Sequence, residues 1–424
     1  MSELGNRAGT AHFGPMSDPA GQYPRPEAPN DEADDDTAVS TLELFFDLVF
    51  VFAITQITWL VSHDPTARGL AHAVLVFAML WWAWGSYAWL TNTLPTGDTL
   101  PRVLLLVGMA ATLVAALAVP DSFGSGGGEH GGDVSTGTAF GIAYLVVMAV
   151  HLGLFIVAAE NPQVTRQAIL RLAPTNALGA LLLIAGGVAG GDAQAALWVA
   201  AVVVSYAGPY MTGVAGFTVH PRHFAERHGL IVIVALGESV VAIGAAARGL
   251  PVDWGLAGTA VLAVALVTAL WWSYFDGDAD RTEQAMTSAT GAERARLARD
   301  AYSYLHVPLV FGIVLIAVGL HEAVVHPTES LDPIVAGAFG GGFALYLAGL
   351  TAKRMRCGGR PGAGHLAAVV AGAGAAALAP HVDAVVTLAI LAAAGLAVAV
   401  ADTWVWSRPP PAVASHSELR PGSG

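Results

Sequence analysis

Long apolar runs alternate with short polar connections along the chain from residue 40 to residue 406. Each run holds about 20 residues, the length that a helix needs to cross the ~30 Å hydrocarbon core of a bilayer. The pattern therefore predicts an all-α integral membrane protein with about 12 transmembrane helices. The predicted spans are 40–61, 70–91, 102–120, 138–159, 174–191, 195–214, 229–248, 254–275, 302–320, 333–351, 364–381 and 384–406.

The two halves of the chain carry matching polar and aromatic residues. Asp47 in span one precedes LWWAWGSY at the end of span two, and Glu238 in span seven precedes LWWSYFDGD at the end of span eight. AFGIAYLVV in span four resembles AFGGGFALY in span ten. Six helices per half give both halves the same orientation in the membrane. We predict two parallel six-helix repeats, 39–220 and 221–406, and the alternative is a chance likeness of helices rich in Ala, Val and Gly.

Composition agrees with a membrane protein, and the basic residues predict its orientation. The 424 residues are 55% hydrophobic and 12% charged, against about 25% charged in soluble proteins. With a cytoplasmic N-terminus, the predicted outer loops hold only Arg68 and Arg248, and the inner segments hold the other seventeen of the 19 Lys and Arg residues. The positive-inside rule then places both termini in the cytoplasm.

Much of the net charge of −13 is confined to one tail. Residues 1–38 hold eight acidic residues, two arginines and five prolines, and they contain no apolar segment of the kind found in signal peptides. This composition predicts a disordered acidic tail, for which a solvated spacer is the simplest interpretation. Residues 407–424 are predicted to form a disordered C-terminal tail.

Two acidic residues lie deep in predicted spans. Asp47 is about 10 Å inside span one and Glu238 is about 15 Å inside span seven, where burial disfavours a charged carboxyl. Insertion of Asp at a helix centre costs roughly 2.5–3.5 kcal/mol, so such residues face the bundle interior and usually have a role. We expect Asp47 and Glu238 to meet at the junction of the halves, with Gln56 and Ser239 nearby, in a substrate or ion pathway. Hydrogen bonds that merely hold the halves together are the alternative.

Other polar residues lie near the predicted membrane boundary. Glu43 lies one helical turn before Asp47 and just after Ser40, a candidate helix cap. The helix dipole favours an anion there without any function, so we keep Glu43 both as a pathway candidate and as a structural residue. Glu226, Arg227 and His228 form a predicted polar cluster at the cytoplasmic boundary of span seven.

Several kinds of chemistry are not expected. A single cysteine, Cys357, excludes an internal disulfide and a cysteine metal cluster. HEAVVH at 321–326 spaces its histidines five residues apart, whereas two zinc ligands on one helical face are four apart. We find no phosphate-binding loop and no Ser–His–Asp arrangement, and we interpret the basic loops as orientation signals. We therefore expect no enzyme activity, metal, cofactor or nucleic-acid partner.

Two stretches resemble the bacterial low temperature requirement A family: STLELFFDLVFVFAITQIT from Ser40 and ERHGLIVIVALGESVVAIG from Glu226. The resemblance implies a multi-pass protein of the bacterial inner membrane that is associated with growth in the cold, and it implies no catalytic residues. The matching positions are Glu43, Leu44, Phe45, Phe46, Asp47, Gln56, His228, Gly229, Gly237, Glu238 and Ser239.

Two functions remain open from the sequence. The first is a proton-coupled secondary transporter or permease for a small solute or ion, with carboxylates near the midplane. The second is a non-transporting stabiliser, sensor or scaffold for growth at low temperature. The sequence contains no arrangement of catalytic residue types that would support a third possibility, an intramembrane enzyme acting on lipid. The partners implied are the lipid bilayer and an unidentified solute or ion, and the sequence leaves the oligomeric state open.

Overall fold

A computed structural model describes residues 39–93, 99–124, 134–157, 162–214, 216–276 and 278–406. Both tails predicted to be disordered, 1–38 and 407–424, lie outside the described residues. The elements of the described part are all helices. They are α1 Thr41–His63, α2 Ala67–Thr91, α3 Thr99–Leu117, α4 Thr136–Val157, α5 Pro162–Ala189, α6 Gly191–Thr212, α7 Pro221–Ala246, α8 Trp254–Phe275, α9 Asp278–Ser288, α10 Gly291–Leu297, α11 His306–Val325, α12 Pro333–Arg356, α13 Ala363–Leu378 and α14 Ala384–Trp406. A π-helical segment, Ala298–Tyr304, joins α10 to α11, and the 3-10 turn Ala379–His381 follows α13.

The predicted number of spans is confirmed, because the described part contains 12 helical segments long and apolar enough to cross a membrane. Two predicted ranges, 254–275 and 384–406, coincide with α8 and α14. Helix α5 begins earlier than predicted and continues through Pro174, because its polar first turns broke the apolar pattern. The region predicted as a loop between spans eight and nine contains α9, α10 and the π-helical segment.

Helix α1 begins with the cap that the sequence indicates. The Ser40 Oγ accepts a hydrogen bond from the Glu43 backbone N–H at 3.4 Å, and the Glu43 carboxylate accepts one from the Ser40 backbone N–H at 2.8 Å. This reciprocal capping box satisfies two backbone donors at the helix start. It also fixes the position of the Glu43 carboxylate before any tertiary contact is made.

The helices of the two halves pack in the same order. We number only the six long helices of each half, which leaves out α9 and α10. In both halves the third helix contacts the first and the fourth. The sixth contacts the second and the fifth, and the fourth contacts the fifth. In the first half these pairs are α1–α3, α3–α4, α4–α5, α5–α6 and α2–α6, and in the second they are α7–α11, α11–α12, α12–α13, α13–α14 and α8–α14. The shared order supports a duplication, which stays a prediction.

The repeated AFG sequence has the same packing role in both halves. A Cβ on Gly141 of α4 would lie 2.7 Å from the Ile184 backbone N of α5, and a Cβ on Gly340 of α12 would lie 2.5 Å from the Ala376 backbone N of α13. Small residues let helix backbones approach closely in a membrane. The tryptophan pairs differ more, since Trp81 is buried but Trp271 is 43% exposed.

Three consecutive glycines of α12 offer a matched test of this packing. A Cβ on Gly340 or Gly342 would lie within 3 Å of α13 or α11 respectively, whereas a Cβ on Gly341 meets nothing within 4 Å. We expect Gly340→Leu and Gly342→Leu each to lower the Tm in detergent, at a cost of about 1–3 kcal/mol for overpacking. Gly341→Leu is the control and should leave the Tm near the wild-type value. Equal losses in all three variants would contradict this packing.

A buried ionic network as candidate functional site

Helices α1 and α7, which begin the two halves, run in the same direction where they meet. An Arg227 Nη2 of α7 lies 3.0 Å from an Asp47 Oδ1 of α1, and further along the Thr55 hydroxyl of α1 donates to a Glu238 oxygen of α7 at 2.6 Å. The second contact lies eight residues beyond the first on α1 and eleven beyond it on α7. The contact is therefore parallel, as the predicted repeat requires.

Four side chains form what we call the first ionic cluster: Glu43, Asp47, His223 and Arg227. The guanidinium of Arg227 contacts Glu43 Oε1 at 3.1 Å and Asp47 Oδ1 at 3.0 Å. The His223 Nε2 lies 3.3 Å from Glu43, and the Trp84 indole N–H donates to Asp47 at 2.9 Å. Both carboxylates are 2% exposed and Arg227 is 0% exposed.

The first ionic cluster explains why an apolar helix carries two acids. A buried charge costs several kcal/mol unless a partner of opposite charge and hydrogen bonds compensate it. Arg227 supplies that partner from the other half of the chain. The capping interpretation of Glu43 is therefore correct but incomplete, because Glu43 also takes part in an ion pair between the halves.

Glu238 occupies a different position from the one expected. Asp47 and Glu238 both lie at the contact of α1 with α7, but they are not partners, because Arg227 and Trp84 bind Asp47 and Thr55 binds Glu238. The two sites are about 12 Å apart along α1 at 1.5 Å per residue. The Glu238 side chain is 3% exposed, and among the described residues its hydrogen bond comes from Thr55.

The remaining predicted pathway residues lie nearby with few contacts. Ser239 is fully buried, and its hydroxyl has no hydrogen-bond partner among the described residues. Gln56 follows Thr55 on α1 and is half-buried. In the described part of the chain neither residue makes a hydrogen bond or ion pair with a charged group; Ser239 follows Glu238 on α7, and Gln56 follows Thr55, the hydrogen-bond partner of Glu238.

The predicted boundary cluster of α7 is divided among three environments. Glu226 is exposed and lines a crevice with Arg222 and Glu283. Arg227 points to α1. His228 is fully buried, and its Nδ1 donates to the Phe224 carbonyl at 2.8 Å. Consecutive residues of a helix point about 100° apart, so neighbours in sequence need not share a site.

A second ionic cluster lies in the second half of the chain, and it is not among the sites predicted from the sequence. Lys353 Nζ and Arg354 Nε of α12 contact the Asp278 carboxylate of α9 at 2.8 Å and 2.7 Å. Arg354 Nη2 also contacts Asp402 of α14 at 2.7 Å, and His365 of α13 lies 2.9 Å from Asp402. From the sequence alone, Lys353 and Arg354 belong to the inner basic residues that are interpreted as orientation signals. The sequence signal that could have revealed this cluster is a pair of acidic residues, Asp278 just after predicted span eight and Asp402 near the end of predicted span twelve.

Buried rings and hydroxyls lie between the two clusters. The His228 ring lies 5.2 Å from the His306 ring and 5.0 Å from the Trp84 ring. His306 Nδ1 donates to a backbone carbonyl, so its Nε2 accepts from the Tyr274 hydroxyl at 2.9 Å. Lys353 Nζ lies 4.1 Å above the Tyr274 ring. Asp47 and Asp278 are thus connected by a continuous series of buried polar and aromatic groups.

An aromatic cavity lies beside this network. Its walls come from α2, α4, α5, α6 and the π-helical segment. Among the lining residues, the Trp82 indole donates to Asn176 at 3.0 Å and the Trp89 indole donates to Ser303 at 2.8 Å. Within the described residues, no group of three or more His, Cys, Asp and Glu side chains is arranged to hold a metal ion.

Replacement of Arg227 tests the first ionic cluster. We expect Arg227→Met to lower the unfolding free energy in detergent by about 3–5 kcal/mol, because two carboxylates then lose their counter-ion. Arg248→Met, an exposed position just beyond the other end of α7, is the matched control and should have little effect. The triple variant Glu43→Gln, Asp47→Asn, Arg227→Met should recover much of the loss. An Arg227→Met protein as stable as Arg248→Met would contradict the assignment.

Comparison with known proteins places the chain in a family. The model of the family described as bacterial low temperature requirement A protein (LtrA) matches residues 38–400. The chain is also similar to Uncharacterized protein RA0937 of Rhizobium meliloti (strain 1021), with 32% identity over 333 residues that cover 75% of this chain and 77% of that protein. The family match contains α1 to α13 and most of α14. The chain therefore belongs to the bacterial low temperature requirement A protein family.

Proposed function

We propose that the protein is a secondary transporter or permease of the bacterial inner membrane, coupled by protonation of buried carboxylates. The observation that carries the proposal is Glu238, a buried carboxyl in a spanning helix whose hydrogen-bond partner among the described residues is a hydroxyl. Ionisable residues inside a membrane typically mark substrate, ion or proton pathways. The proposed orientation places both termini in the cytoplasm, according to the distribution of basic residues.

The position of Glu238 supports a role in coupling. The group lies at the parallel contact of α1 and α7, and in transporters with internal repeats the sites lie near the midplane where the repeats meet. A carboxyl without a cationic partner can gain or lose a proton, and each change alters its bond to Thr55 on the opposite half. Protonation therefore acts directly on the contact between the halves.

A non-transporting scaffold is the second candidate, and the second ionic cluster favours it. Arg354 contacts Asp278 and Asp402 with its guanidinium nitrogens and thereby ties α12 to α9 and α14. Such a network holds helix ends together and needs no moving solute. In a scaffold the buried acids act through hydrogen bonds alone, which an amide side chain also makes.

Growth in the cold tests whether the charge or proton of the acids is used. A strain that lacks the protein is complemented with wild type, Asp47→Asn, Glu238→Gln, or the exposed control Glu329→Gln, at matched membrane levels. We expect both buried amide variants to insert but to restore less than about a tenth of wild-type growth, because an amide cannot exchange the proton. Rescue by all four proteins would favour the scaffold. If the deletion strain grows normally in the cold, this protein does not have the cold-growth role that the family name describes.

Cysteine accessibility tests for a water-filled pathway without knowledge of the solute. Burial raises the pKa of the Cys357 thiol, and Cys357→Ser removes it as a background. In that background we expect Ser239→Cys to react with a membrane-impermeant thiol reagent in native membranes, because alternating access exposes the site to water.

The controls define both limits of this assay. Ala317→Cys, fully buried in α11, should stay unlabelled, and the exposed Glu329→Cys should label at once. If Ser239→Cys is as unreactive as Ala317→Cys, no water-filled pathway reaches Ser239, which contradicts its predicted place in the pathway.

A further inference from the structure

One face of α2 carries tryptophans with a glycine between them. Trp81 and Trp82 lie four and three residues before Gly85, and Trp89 lies four residues after it. Residues at these intervals share one side of a helix. All four residues line the aromatic cavity. The cavity therefore has a wall of indole rings that is interrupted at Gly85.

The space at Gly85 is empty although the residue is buried. A Cβ on Gly85 would meet nothing within 4 Å, whereas a Cβ on Gly141 or Gly340 would collide with the backbone of a neighbouring helix. Glycine lowers the stability of a helix interior relative to alanine, and close helix packing does not explain it here. We interpret Gly85 as the residue that keeps the cavity open.

The size and walls of the cavity suit a narrow apolar group. Its volume is about 70 Å³, several times the ~10–15 Å³ that one water molecule needs. A cavity of ~150 Å³ in another protein holds benzene, so the smaller volume fits a single alkyl chain better than a ring. Apolar side chains offer water few hydrogen bonds, and those in the walls include Phe155, Ile169, Leu172, Val214 and Phe217.

Two polar side chains of the wall retain hydrogen-bond donors. The Trp82 indole donates to Asn176 Oδ1 at 3.0 Å, which leaves the Asn176 amide nitrogen as a donor. The Trp89 indole donates to Ser303 Oγ at 2.8 Å, which leaves the Ser303 hydroxyl hydrogen. Among the described residues that line the cavity there is no Asp or Glu. The wall therefore favours a ligand whose polar end accepts hydrogen bonds.

Three other polar side chains of the wall already bond to the backbone. The Ser86 hydroxyl donates to the Trp82 carbonyl at 2.8 Å, and the Tyr304 hydroxyl donates to the Tyr206 carbonyl at 2.6 Å. The His151 Nε2 lies 3.0 Å from the Ser86 carbonyl. These bonds hold the walls in place.

Arg299 brings a permanent positive charge to the wall of the cavity. Its Nε contacts Asp300 at 2.7 Å, and the other oxygen of Asp300 contacts Arg356 at 2.8 Å. Glu293 is likewise shared, between Arg356 at 3.1 Å and Arg296 at 3.5 Å. Three arginines and two carboxylates thus form this series of ion pairs. One positive charge is left to attract an anion.

We propose that the aromatic cavity binds one single-chain amphiphilic carboxylate, with its alkyl chain in the space beside Gly85 and its carboxylate at Arg299. A guanidinium matches the planar geometry of a carboxylate, and the aromatic walls exclude water from the chain. The site contains neither Asp47 nor Glu238. Binding therefore goes beyond the proposed transport and does not depend on it.

The test measures quenching of tryptophan fluorescence by ω-bromooctanoate, because bromine quenches an indole on contact. The full-length protein is placed in nanodiscs of phosphatidylcholine, where probe dissolved in the bilayer gives a background that does not saturate. We expect saturable quenching that octanoate reverses. The neutral ω-bromooctanol should bind at least about tenfold more weakly, because it lacks the charge-assisted hydrogen bonds to Arg299.

A pair of glycine variants locates the site. Gly85→Leu should abolish the saturable quenching, because leucine fills the cavity, and should keep or raise the Tm, because leucine favours a helix. Gly153→Leu is the control, since a Cβ there also meets nothing within 4 Å but Gly153 does not line the cavity. If both variants bind ω-bromooctanoate like wild type, the proposal is overturned.

A pair of arginine variants tests the charge. Arg299→Gln should bind the carboxylate and the alcohol equally, and its retained binding of the alcohol shows that the cavity is intact. Arg296→Gln, at a side chain that is 56% exposed and outside the cavity, should behave like wild type. Equal binding of carboxylate and alcohol by wild type would also overturn the proposal.

Discussion

Arg227 makes the ionic link between α1 and α7, the first helices of the two halves. Its guanidinium reaches two carboxylates that α1 presents one helical turn apart, and all three side chains are buried. Removal of either sign of charge leaves the other without compensation in a medium of low polarity. Because the capping box fixes Glu43 at the start of α1, the ion pair also sets the register of α7. That register brings Thr55 opposite Glu238, about two turns beyond Asp47 on α1 and about three turns beyond Arg227 on α7.

The two ionic clusters connect different helices of the same bundle. The first joins α1 to α7 and so connects the halves, whereas the second connects α9, α12, α13 and α14 within one half. The His228, His306 and Tyr274 side chains lie between them. A change of charge in one cluster therefore acts through buried polar groups, which water does not screen, and can influence the other.

The sequence was sufficient for features that repeat along one helix. Apolar length predicted the 12 spans, and Ser40 with Glu43 predicted the cap of α1. Partners across helices were harder to predict, because an arginine beside a predicted membrane boundary looks the same whether it faces water or a carboxylate. Arg227 and Lys353 are both such residues. The depth of Asp47 and Glu238 was correctly linked to burial, but depth does not specify which helix supplies the partner.

The glycines of α12 have a consequence for the temperature dependence of the assembly. Gly340 and Gly342 bring α12 into close contact with the backbones of α13 and α11. Association of helices inside a bilayer relies on van der Waals packing, since lipid tails are as apolar as the side chains they touch. The hydrophobic effect weakens on cooling, but close packing does not share that weakness. The packing of α12 against α11 and α13 is therefore not weakened by the loss of the hydrophobic effect as the membrane cools.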